Sequence, residues 1–169
     1  FKTGESQYGH GDLFIGVTVP EQRKIAKQFA ALPLSETLQL LDSKWHECRL
    51  TALLILVSQF QKGDSTTKRI IYEAYLANRE HINNWDLVDT SADKILGEWL
   101  RDKSKAPLRK LAKSRVLWDR RIAMIATYTD IKQGEPATAL EIADILLHDD
   151  QDLIQKAVGW MLREVGKRC

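Results

Sequence analysis

The chain has 169 residues, enough for one domain with a sizeable core. Apolar residues make up 44% and charged residues 28%, the balance of a soluble globular protein, and a net charge of only +2 excludes a global polycation, so any nucleic-acid surface has to come from local clustering of cations. Cys48, Cys169 and the scattered histidines (His10, His46, His81, His148) offer no metal-ligand spacing, and no apolar run reaches the length of a membrane span. Cysteine usage fits a reducing compartment, no signal peptide is expected, and a first residue other than Met is expected of a fragment or a processed piece.

Residues 1–19 hold Gly4, Gly9, Gly11 and Gly16 and read as a loop; the glycines lack the spacing of a phosphate-binding turn, and no strand precedes them. From there the pattern is helical throughout. Pro20 fits the first position of "PEQRKIAKQFAA", and Ser35 is placed to cap "ETLQLLD". A long helix is expected over 45–62, stopped by Gly63, and the next over 65–80, opened by small capping residues. A helix then starts at Trp85 behind Asn84 as N-cap, followed by a short one near 107–113 and further helices over 117–133, 136–148 and 151–167. Long helices recur at intervals of roughly 30–40 residues with shorter ones between them, the period of stacked helical hairpins. The predicted fold is all-α, a curved solenoid of antiparallel HEAT-like hairpins forming a single domain over 1–169. The helices starting at Trp85, Leu117 and Gln151 are expected to line its concave side.

Three of these helices carry residues that amphipathicity does not require. In "NNWDLVDTSADK" (83–94), Asp86 lies in the first turn, where the helix dipole favours an anion. Asp89 lies beyond it, in a poor position for Asp, and forms with Asp93 an i,i+4 like-charge pair that costs about 0.2–0.5 kcal/mol. Trp85 and Asp89 sit side by side at one edge of the apolar stripe Val88, Ala92, Ile95 and Trp99. They are either a boundary Trp with a solvated Asp or a functional pair.

The helix over 117–133 sets Arg121 among Leu117, Met124, Ile125 and Tyr128, where an unpaired guanidinium would be costly. It is either half of a structural ion pair, with an acid such as Asp89, or a planar clamp for phosphate. Arg120 points elsewhere and reads as a solvated charge. In the last helix Ile154, Val158, Met161 and Val165 form the apolar stripe, while Lys156, Trp160, Arg163 and Lys167 share the opposite face. An aromatic among cations suits either packing beneath a neighbouring helix or contact with a phosphate backbone and a cationic base.

"NNWDLVD", "LWDRRIA" and "LIQKAVGWMLREVGKR", preceded by "FIGVTVPEQRK", resemble the AlkD-like DNA glycosylases of the DNA alkylation repair family, in the family's order and across the whole chain. The resemblance implies an all-helical HEAT-like fold, with family segments extending beyond both ends of this sequence. It implies monofunctional excision of N3- and N7-alkylated purines from double-stranded DNA, without metal or cofactor, by a monomeric cytoplasmic protein that associates with the nucleoid when bound to DNA. Carried over by motif, Asp89 corresponds to the catalytic carboxylate, Trp85 and Trp160 to the aromatics at the lesion, Arg121 to the arginine gripping DNA beside it, and Arg163 to a backbone contact. Lys156 and Lys167, on the face of Trp160, are the further candidate DNA contacts. No lysine is placed as an obvious Schiff-base nucleophile. The competing class is a non-catalytic HEAT-like module that binds DNA or protein; a carboxylate beside Trp85 has no use in a basic groove that only grips phosphate.

Overall fold

Capping chemistry starts the first helix, α1 (Val19–Gln28): Glu21 reaches back to accept the Thr18 N–H at 3.0 Å, and Pro20 presets the first turn. Helices α2 (Leu34–Leu41), α3 (His46–Lys62) and α4 (Ser65–Ala77), a 3-10 turn at Arg79–His81, and α5 (Trp85–Ala92) come next. A single π-turn, Asp93–Gly97, joins α5 to the short α6 (Glu98–Leu100), and then come α7 (Ala106–Ala112), α8 (Leu117–Ala126), α9 (Tyr128–Lys132), α10 (Ala137–Leu146) and α11 (Asp152–Arg168). The structure is a computed structural model that describes residues 1–5 and 7–169, and among them no strand occurs, so the all-α expectation holds.

The backbone divides into two compact units, residues 1–90 and 91–169. In the first, α3 is the central helix and packs against α1, α2 and α4. It is buried on nearly all sides, through Leu50, Leu53, Ile55, Leu56, Val57 and Phe60. In the second, α8 takes that place, packed against α7, α10 and α11, with Ile122, Ala123, Met124 and Ile125 in its core.

Several local expectations are corrected. Pro33, not Ser35, stands at the start of α2. Asp64 caps α4, accepting the Thr67 N–H at 2.8 Å. Gly63 ends α3 in an extended conformation (φ −74°, ψ 156°), so it serves space and not a left-handed turn: a Cβ there would lie 2.7 Å from Thr67 Cγ2 and 2.9 Å from the Gln59 carbonyl oxygen. The helix expected over 117–133 is broken at Thr127 into α8 and α9. The segment before α1 is tied down at Leu13, whose carbonyl accepts the His46 N–H at 2.9 Å in an isolated bridge between Leu13 and Trp45.

The π-turn alters the stripe read from the Trp85 helix. One extra residue in a turn rotates the rest of the helix by about one position. Ile95 is buried as expected, but Leu96 and Leu100 join it, while Trp99 stays half-buried with Lys103 Nζ 4.0 Å from its ring centre. Asp93 is buried in the π-turn and paired with Lys94 (3.0 Å) and Lys132 (3.3 Å). Its charge is thus neutralised, and the like-charge cost expected of it is lifted.

Candidate functional site

Trp85 and Asp89 lie one helical turn apart on α5, in the first unit. Trp85 is 37% exposed, high for so large a ring, and Asp89 is half-buried. The indole stacks on the Phe1 ring at 5.5 Å, and Phe1 also packs on Phe14 at 4.9 Å. Trp85 and Asp89 therefore lie on the same side of α5, the indole partly exposed and stacked on Phe1.

Beneath these rings lies a polar cluster whose members are scattered along the sequence. His46, 2% exposed, bridges two carboxylates, with Nδ1 3.1 Å from Asp12 Oδ2 and Nε2 2.8 Å from Asp86 Oδ2. Arg49 pairs with the other Asp12 oxygen and donates to the carbonyls of Ser43 (3.0 Å) and Lys44 (3.3 Å). Asn84 donates to Asp12 at 2.7 Å and accepts the Trp85 N–H at 2.8 Å, so its expected place before α5 is observed, with a second bond to the N-terminal segment. Asp86 also accepts the Leu87 N–H at 2.9 Å. Glu47 accepts the N–H groups of Ile15 (3.0 Å) and Gly16 (2.8 Å), anchoring the same segment on α3.

The electrostatics arise from these contacts. Burial works against a charge on His46, but hydrogen bonds to Asp12 and Asp86 and their negative charges outweigh it and push the imidazole up to about 9. Burial likewise opposes ionisation of Asp12 and Glu47. Yet His46, Asn84 and Arg49 hold Asp12 below the usual carboxylate range, and the Ile15 and Gly16 N–H groups do the same for Glu47. The signal for this cluster was present in "HECR": a His, a Glu and an Arg, the first and last three apart, at the head of an otherwise apolar helix.

In the second unit, Arg121 is 5% exposed, among the apolar side chains expected, and donates to the Leu153 carbonyl at 2.5 Å. Arg120 is not a solvated charge. It is largely buried, forms a forked pair with Asp149 (2.6 and 3.2 Å), and donates to the carbonyls of Ser114 and Arg115, both at 3.0 Å. On α11, Ile154, Val158 and Met161 are buried, while Lys156, Arg163 and Lys167 are exposed. Trp160 is half-buried, its ring 6.2 Å from that of Tyr128. Lys156 pairs with Asp152 at 2.9 Å and Lys167 with Glu164 at 3.0 Å; the first bridge is exposed at both ends and worth little, so it can yield to a phosphate.

Among the described residues no cluster of His, Cys, Asp and Glu is arranged to hold a metal ion, and no helix is long and apolar enough to cross a membrane. The sequence profile described as DNA alkylation repair enzyme matches residues 2–169. A solved structure of a predicted DNA alkylation repair enzyme from Enterococcus faecalis shares the fold, with a TM-score of 0.67 at 19% identity, over 94% of this chain and 78% of that one. No curated protein matches the chain.

Proposed function

The chain belongs to the DNA alkylation repair enzyme family, and from its role in DNA repair we propose a specific chemistry: hydrolysis of the N-glycosidic bond of N3- and N7-alkylated purines in duplex DNA. The observation that carries this reading is the Trp85–Asp89 pair, a partly exposed indole and a carboxylate one turn apart on α5. N3- or N7-alkylation places a positive charge on the purine, so the base departs without being protonated. What the protein has to supply is stabilisation of the oxocarbenium-like sugar and a water to capture it. Asp89 supplies both, by its charge and by orienting the water. Trp85 holds the charged nucleotide by a cation–π contact worth about 0.5–2 kcal/mol, and Trp160 is the candidate aromatic of the second unit. Arg121, Lys156, Arg163 and Lys167 serve the DNA backbone, Arg163 with the freest access: it is exposed and has no ion-pair partner among the described residues.

Release of 7-methylguanine from methylated duplex tests the proposal. Asp89→Asn keeps the side-chain shape but removes the charge, and is expected to slow single-turnover release by about a hundredfold or more, with duplex affinity within about threefold of wild type. Wild-type release by that variant would remove Asp89 from the mechanism. Tight duplex binding with no release by the wild-type protein would make the chain a binding module.

A further inference from the structure

Both ring nitrogens of His46 face carboxylate oxygens, Asp12 at 3.1 Å and Asp86 at 2.8 Å. A neutral imidazole donates to only one of them and turns a lone pair on the other; an imidazolium donates to both. The charged groups around it are Asp12 from the N-terminal segment, Asp86 from α5, and Arg49 and Glu47 from α3. Glu47 is occupied by backbone N–H groups, and the formal charges of His46, Arg49, Asp12 and Asp86 cancel. The preference for the charged ring, which persists to about pH 9, agrees with this geometry. Phe14 stacks on the imidazole at 4.8 Å and Phe1 lies 4.9 Å from it, so aromatic rings cover the bridge from solvent.

We propose that His46, by bridging Asp12 and Asp86, is a positioning residue for base excision: it fixes the first turn of α5 and thereby the placement of Trp85 and Asp89. The proposal rests on the reading of Asp89 as the catalytic carboxylate. Asp86 lies between Trp85 and Asp89 in the sequence, and a rotation of α5 that misplaces either of those side chains has to break the 2.8 Å bond from His46. A second tie runs from Asp12 through Asn84 to the Trp85 N–H, so two hydrogen-bonded paths converge on the same turn. Apolar side chains would fill this volume at less desolvation cost. They would not fix a direction, whereas directional bonds do, and a displacement of about 1 Å at a reacting group costs on the order of a hundredfold in rate.

The test is single-turnover release of 7-methylguanine from methylated duplex at saturating protein, from about pH 6 to about pH 10, with duplex affinity and thermal melts measured alongside. His46→Gln is expected to slow the saturated rate by about 10- to 100-fold per folded molecule while duplex affinity stays within about threefold. A wild-type saturated rate in this variant overturns the proposal. Asp86→Asn probes the same bridge if the first variant folds poorly. The new amide donates to a neutral ring nitrogen, so both protonation states of His46 are accommodated. The wild-type rate should therefore fall as pH rises through about 9, and this fall should vanish in Asp86→Asn. Persistence of the fall in that variant overturns the proposal as well. Asp89→Asn separates the two ideas: an active Asp89→Asn removes the catalytic reading whatever His46 does, while an inactive Asp89→Asn beside a full-rate His46→Gln removes the positioning role alone.

Discussion

A guanidinium that is 5% exposed and donates to a main-chain carbonyl at 2.5 Å is first a tie between helices. In Arg121 that tie joins α8 to the first turns of α11, the helix that carries Trp160. Truncation to Ala removes a charge-assisted bond and leaves a void, so Arg121→Ala is expected to lower unfolding free energy by about 2–3 kcal/mol, read by urea denaturation. If the guanidinium also meets a phosphate, the slope of log affinity against log salt falls by about one contact. An unchanged slope would assign Arg121 to structure alone. Trp160 presents the converse balance: its ring is half-exposed and leans on Tyr128, whose hydroxyl accepts from Arg168 at 3.2 Å. Trp160→Ala should cost about 1 kcal/mol for the lost aromatic pair, and excision of 7-methylguanine should fall more than affinity for unmodified duplex. Equal falls in excision and affinity would mean that the indole does not read the lesion.

Among the helices, the least legible feature in the sequence is the π-turn at Asp93–Gly97. Apolar periodicity located the helix around it, because burial repeats at the helical period whatever the detailed turn. It missed the extra residue, since a π-turn is set by tertiary contacts. Thr129 Oγ1 donates to the Asp93 carbonyl at 2.7 Å, and a Cβ on Gly97 would lie 2.4 Å from the Ala126 carbonyl oxygen and 2.5 Å from Thr129 Oγ1. Gly97→Ala is accordingly expected to destabilise by about 3 kcal/mol or more, because the clash is with backbone that cannot swing away. A melting temperature within a degree or two of wild type would contradict this packing. The same limit explains the sites. Trp85, Asp89 and the polar face of α11 stand out as candidates on a helical wheel because they do not belong to an apolar stripe. Arg120 with Asp149, and His46 with Asp12 and Asp86, were not, because their partners lie 29, 34 and 40 residues away in the chain.

For the molecule as a whole, net charge of +2 predicts little about stability, and the buried bridges predict more. His46 has an ordinary value of 6.5 when exposed and about 9 in the fold. Between those values the folded protein holds a proton that the unfolded chain has released, so stability must decline as pH rises. The contribution is fully present below pH 6.5 and is lost through about pH 9, a total on the order of 3 kcal/mol. Asp12 and Glu47 act in the opposite sense: their folded values are lowered, so their contribution is present above the ordinary carboxylate range and is lost as pH falls through it. Unfolding free energy should peak between about pH 5 and pH 6.5, with distinct acid and alkaline flanks. Urea denaturation of wild type and His46→Gln across that range separates the two. The alkaline flank should flatten in the variant while the acid flank remains, because Glu47 keeps its bonds from Ile15 and Gly16. An alkaline flank of equal depth in both proteins would place its origin outside the Asp12–His46–Asp86 bridge.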